Sequence, residues 1–225
     1  MISIIFPTRN RPNELLRLIE SFRLHSNVQP EILCYVDYDD HSYDGRLFDA
    51  QIIRGPQLVL SAYWDTLLRF ATGDLLMASA DDVICRTPGW DGMVEGAFAQ
   101  CPDKILMVFG NDGGPDGTKY PTSPIVHRRW IETVGRWIPP YFCADYIDTW
   151  LYDVAKRINR IQFVPFTVEH IHPIWNKAPL DETYRRGNER RQAQEPWKAF
   201  ELTARERESE SEALRAAMDS SWRPS

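Results

Sequence analysis

The first 180 residues alternate short apolar runs with amphipathic stretches, the pattern of strands interleaved with helices. Ile2–Phe6 is β-branched and apolar and stops at Pro7. Pro12 then stands where a helix can begin, and Leu15, Ile19 and Phe22 recur at helical spacing, which predicts a helix to about His25. Glu31–Val36 reads as the next strand and runs into an acidic loop, Asp37 to Gly45; Gln51–Arg54 reads as a short one. Gly55-Pro56 breaks the chain before a helix predicted over Leu58–Ala71, with Gly73 expected as its C-cap and Asp74–Ser79 as the strand after it. A helix near Trp90–Gln100, a strand at Ile105–Phe109, a loop holding Gly113, Gly114, Pro115 and Gly117, a helix from about Asp145 to Ile158 and a strand at Ile161–Val168 follow. Such alternation predicts an α/β domain with a mainly parallel sheet, whose ligands sit beyond the carboxyl ends of the strands.

Charge density then divides the chain. From residue 181 onward 19 of 45 residues are charged, against 39 of the first 180. The first 180 residues are therefore expected to form one core domain, and residues 181–225 a charged lid and tail. The stretch from Phe200 to Ser220 has only a thin apolar stripe and is expected to be a solvated helix. The net charge of −6 argues against general nucleic-acid binding. The cysteines at 34, 85, 101 and 143 have neither disulfide-framework nor zinc-site spacing and read as reduced thiols. Met1 leads into the apolar run without a basic segment, and no stretch has membrane-spanning length, so a soluble, cytoplasmic protein is expected.

Two strand ends are acidic: Asp37, Asp39 and Asp40 after the second strand, and Asp81-Asp82 after the strand that begins at Asp74. Carboxylates gathered at strand ends repel one another unless a cation or donor compensates them, and a divalent metal does so economically. His170 and His172 follow the last strand, and in an extended chain both would point to one face.

The block from Ser3 to Pro12 with Glu14–Phe22, and the stretch Ala71-Thr72-Gly73-Asp74-Leu75-Leu76 followed by Asp81-Asp82, resemble the family 2 glycosyltransferases, which have the GT-A (Rossmann-like) fold. The likeness extends through Val164-Pro165 to the histidines. It implies that Pro7, Thr8, Asn10 and Arg11 border the nucleotide, that Asp37 or Asp39 accepts a hydrogen bond from the base, and that Asp81 touches ribose or sugar. It further implies Asp82 as a metal ligand, with His170 or His172 completing the set around Mn²⁺ or Mg²⁺. Ala80 replaces the first carboxylate of the family's triplet. By the same likeness Asp148 is the expected base, with Asp145 as its reserve or as a helix cap. Lys177, Arg185 and Arg186 would close over a diphosphate. Trp175 and Trp90 would line an acceptor groove.

The function implied is a metal-dependent, inverting hexosyltransferase that uses a UDP-linked donor. Its acceptor would be a glycan, lipid-linked sugar, protein or modified base. The Gln-x-x-Arg-Trp pattern of processive synthases is absent, since the nearest stretch reads Gln192-Ala193-Gln194-Glu195-Pro196-Trp197. Two alternatives stand beside it: a degenerate nucleotide-sugar or glycan binder of the same fold, and a sugar nucleotidyltransferase. The second lacks its expected Gly-rich loop, because Pro7-Thr8-Arg9-Asn10 follows the first strand; a dehydrogenase or methyltransferase lacks Gly-x-Gly.

Overall fold

The computed structural model describes residues 1–219 and Trp222. The opening apolar run forms β1 (Ile2–Pro7), and Pro12, whose missing N–H costs nothing at a helix start, begins α1 (Pro12–His25). The chain continues through β2 (Glu31–Asp37), β3 (Gln51–Gly55), α2 (Ala62–Leu68), β4 (Leu75–Ala78), β5 (Val83–Cys85), α3 (Trp90–Gln100), β6 (Met107–Asn111) and β7 (Ile125–His127). Then come α4 (Arg128–Val134), α5 (Ile147–Arg157), β8 (Ile161–His170), a 3₁₀ turn at Pro173–Trp175, α6 (Glu182–Gln194), α7 (Pro196–Leu202) and α8 (Ala204–Ala217).

The described strands form one eight-stranded sheet in the order β3-β2-β1-β4-β7-β6-β8-β5. It is mixed, which corrects the mainly parallel expectation. The four strands β3 to β4 run parallel, but β7 is antiparallel to both β4 and β6, and β5 is antiparallel to β8. The reversal comes from β5 and β7, each only three residues long and too short to show an alternating pattern.

Period-two alternation along the central strands divides the core. Ile4, Phe6, Cys34 and Val36 face α1 and α3, where Leu15, Phe22 and Trp90 are buried. Ile5, Leu33 and Tyr35 face the other way, onto Trp64 and Leu67 of α2 and Trp150 and Val154 of α5. Trp90 is fully buried and packs edge-on to Phe22, so it belongs to the core and not to a groove.

Two local readings change. α2 ends at Leu68 rather than Ala71, and Gly73 does not cap it. Instead Gly73 lets the backbone pass β1 closely: a Cβ there would stand 2.5 Å from Ser3 Oγ and 2.8 Å from the Met1 carbonyl oxygen. The C-terminal stretch is also not a solvated tail. α8 lies against α4 and α5 with Leu214 and Ser211 fully buried and Arg207 and Glu210 nearly so. Its apolar stripe is thin because charged side chains do much of the packing, each with a partner. All four cysteines are free and buried, and no helix among the described residues is long and apolar enough to cross a membrane.

Candidate active site

The carboxyl ends of β1, β2 and β4 meet α6 around a cavity of about 260 Å³. β1 delivers Pro7, Thr8, Arg9 and Arg11 through a turn in which Asn10 takes a left-handed conformation at φ 55°. The Asn10 amide donates to buried Asp40 at 2.7 Å, so Asn10 shapes the loop and does not line the cavity. Asp37 ends β2 against the cavity. One of its oxygens accepts from Tyr63 Oη and the other from Arg9 Nη1, both at 2.7 Å. Asp39, two residues on, is exposed, forks with Arg9 and does not line the cavity.

Asp81 and Asp82 follow β4 and are both buried. Thr8 Oγ1 donates to Asp81 at 2.8 Å and Arg11 Nη1 at 2.9 Å. Burial raises the Asp81 pKa; Arg11 opposes this, and the adjacent Asp82 charge adds to it. Burial works against ionisation at Asp82 as well, but His170 and the Tyr184 hydroxyl, which donates at 2.6 Å, hold that carboxyl below its ordinary value. At His170 burial disfavours the imidazolium, and contact with Asp82 outweighs it, so the pKa rises. His172 moves the other way, through burial and the neighbouring His170 charge.

Of the three predicted metal ligands, Asp82 and His170 meet directly. His170 Nε2 lies 3.1 Å from Asp82 Oδ1, yet this buried oxygen accepts no hydrogen bond. An orphaned carboxylate oxygen beside an imidazole nitrogen is a donor pair of the kind that could hold a Mg²⁺ or Mn²⁺ ion. His172 accepts the Ile174 amide on Nδ1 and packs edge-on to Tyr184. Among the described residues no group of three His, Cys, Asp or Glu side chains is set to hold a metal. Among the described residues, Asp82 and His170 are thus the two predicted ligands that the fold brings together.

α6 lies across the cavity and is tied to it residue by residue. Asp181, which caps α6, receives two hydrogen bonds from Arg11 at 2.8 and 2.9 Å, and Thr183 Oγ1 donates to the Arg9 carbonyl oxygen. The Arg11 guanidinium stacks 4.0 Å over the Tyr184 ring. Arg186 and Arg190, one turn apart, line the cavity, and with the Gln57 amide turned so that its oxygen faces them both donate to it. Of the cations expected at a diphosphate, only Arg186 is here. Arg185 is exposed on the outer side beside Glu182, and Lys177 is held by Glu169 at 2.7 Å and by the Gly113 carbonyl oxygen. Arg190, Gln57, Tyr63, Asp181 and Tyr184 were not found by sequence reasoning. An arginine every four residues was the one available signal, and it could not say which arginines face inward.

Asp148 lies in the first turn of α5, half-buried and outside the lining of the cavity, and accepts the Thr149 amide at 2.7 Å. Burial raises its pKa to about 6; the Thr149 amide opposes this and the Asp145 charge adds to it. It lies close enough to His170 to raise the imidazole's pKa. Asp145 caps nothing: Arg191 of α6 grips both its oxygens. Trp175 packs edge-on to His170, at the same end of the sheet.

No protein-family model matches the chain, and no curated protein does. Among solved structures it is similar to S. aureus TarS, at 13% identity and a TM-score of 0.57 over 76% of this chain and 37% of that one. Two structures of TarS 1–349 match at 14% identity. The first has a TM-score of 0.54 over 75% of this chain and 60% of that one. The second, in complex with UDP, has a TM-score of 0.57 over 74% and 60%. This chain thus spans 37% to 60% of these neighbours' lengths. At such identity the likeness shows only that this chain shares the fold of these structures.

Proposed function

We propose that this chain is a nucleotide-sugar glycosyltransferase that moves a hexosyl group from a UDP-linked donor to an acceptor hydroxyl with inversion. One observation carries the reading. Three strand ends bring Thr8, Arg11, Asp37, Asp81 and Asp82 to a single cavity that Arg186 and Arg190 cover from α6. The likeness to TarS 1–349, solved in complex with UDP, supports it at the level of fold. In this reading residues 1–180 bind the donor and the 181–191 segment closes over it.

Each group then has a task. Asp37, Tyr63 and Arg9 face the base end of the cavity, and Arg186 and Arg190 supply positive charge where the diphosphate leaves. Asp82 and His170 would hold Mn²⁺ or Mg²⁺, which supplies charge neutralisation at the departing phosphate. Asp148, poised near neutral pH, takes the acceptor hydroxyl proton as that oxygen bonds to the anomeric carbon. The bond from that carbon to phosphate oxygen breaks, and its electron pair leaves with UDP. The acceptor is a hydroxyl of a glycan, lipid-linked sugar, protein or modified base.

A second reading, binding without turnover, is favoured by the full commitment of Asp81 to Thr8 and Arg11 and by Ala80 in the family's first carboxylate position. Hydrolysis of UDP-glucose with Mn²⁺, run beside a thermal-shift titration with UDP, separates the two. Stabilisation with hydrolysis supports transfer, stabilisation alone supports the binder, and neither refutes both.

A further inference from the structure

The helix that carries Asp148 starts from a strained turn. Asp145 and Tyr146 are consecutive non-glycine residues in the left-handed region, at φ 53° and 61°. Such a pair is unfavourable by itself and persists only where its surroundings hold it. Part of that hold is Arg191 on Asp145, and the rest comes from the C-terminal helices. Phe200 of α7 packs 5.3 Å from the Tyr146 ring, and the Arg207 guanidinium of α8 stacks 3.6 Å from Phe200.

One turn further on, Trp150 is fully buried and faces away from the site. At about 100° per residue it lies some 200° around α5 from Asp148. Its indole Nε1 donates to Glu210 of α8 at 2.8 Å, and Arg136, which follows α4, donates to the other Glu210 oxygen at 2.9 Å. Arg207 and Arg136 lie 5.1 and 5.6 Å from the indole ring. Arg207 also donates to Asp153 of α5 at 2.6 Å. These polar groups depend on one another, because removing Glu210 leaves the fully buried Trp150 N–H without an acceptor and takes one of two carboxylate partners from the half-buried Arg136.

We infer that α7 and α8 form a clamp that positions the catalytic base: Glu210, through Trp150, and Phe200, through Tyr146, fix the first turn of α5 and so place Asp148. The inference rests on the transferase reading for the role of Asp148, while the mechanical link from α8 to α5 does not. Glu210 and Phe200 are positioning residues and touch no substrate. A carboxylate displaced by about 1 Å can lose up to about 100-fold in rate without loss of donor affinity.

The test uses the full chain, with UDP-glucose and Mn²⁺ as the probe and hydrogen exchange as a readout independent of activity. In Glu210→Ala, UDP-glucose hydrolysis should fall about 10- to 100-fold while the Kd for UDP stays within about twofold. Amides across 147–151 should exchange at least about tenfold faster, while those of β1 and β4 keep their protection. Glu210→Gln, whose amide oxygen still accepts from the indole while its NH2 faces Arg136, should recover part of both. Trp150→Phe should reproduce the loss, and the double variant should be no worse than either single one. If Glu210→Ala does not fold, Phe200→Ala applies the same test from a half-buried position. Unchanged protection across 147–151 overturns the clamp whatever the activity. So does a uniform loss of protection in which UDP affinity falls with rate. Local deprotection in a protein whose wild type hydrolyses no donor supports the clamp and overturns the role of Asp148 as base.

Discussion

Asp148→Asn should make the protein more stable above pH 6 and nearly inactive. The folded structure raises the Asp148 pKa from 3.8 to about 6, burial being the main cause. Between these values the native state holds a proton that the unfolded chain has released. Native stability therefore falls as pH rises through this window, and the penalty is complete above about pH 6. About two units at about 1.4 kcal/mol each set an upper bound of about 3 kcal/mol. The carboxylate is only half-buried, so water screens it and about 1 kcal/mol is expected. Asparagine is neutral and nearly isosteric, and its oxygen can still accept the Thr149 amide. Urea unfolding of the two proteins should give a difference of about 1 kcal/mol at pH 7.5 that becomes small near pH 4. UDP-glucose hydrolysis by the variant should fall by about two to four powers of ten, and wild-type turnover should rise with pH to a plateau above about pH 6. A variant less stable than wild type at pH 7.5, or one with near-normal turnover, would refute the argument. In the latter case loss in Asp145→Asn would transfer the base to Asp145.

Three further outcomes follow from the site and the fold. UDP should raise the melting temperature more with Mn²⁺ than in excess chelator, and Asp82→Ala should abolish the difference; equal stabilisation with and without the cation would count against a bridging metal. Arg190→Ala should weaken UDP binding about tenfold or more, measured by calorimetry, whereas Arg185→Ala on the outer side of α6 should leave it within about twofold; the reverse order would mean that α6 is turned differently. Gly73→Ala should lower stability by about 1–3 kcal/mol, because the new Cβ meets Ser3 and the Met1 backbone at under 3 Å; an unchanged melting temperature would show that β1 can move aside.

Much of this protein was legible along the chain because it is local. The β1 run, Pro12 at the start of α1, and the acidic ends of β2 and β4 are determined by periodicity and by residues next to one another, and they suffice to predict an α/β layer and a candidate site at the strand ends. Tertiary structure alone decided what depends on which distant surfaces meet. β5 and β7 are strands only because longer strands pair with them, and they turn a mainly parallel expectation into a mixed sheet. Arg186 and Arg190 face the cavity while Arg185 and Lys177 do not, because the pairing of Asp181 with Arg11 fixes the rotation of α6. The C-terminal helix reads as solvated by composition, since a charged residue carries the same letter whether it faces water or a buried partner. Glu210 is buried because Trp150 and Arg136, 60 and 74 residues earlier, reach it in the fold, and no window along the chain contains all three.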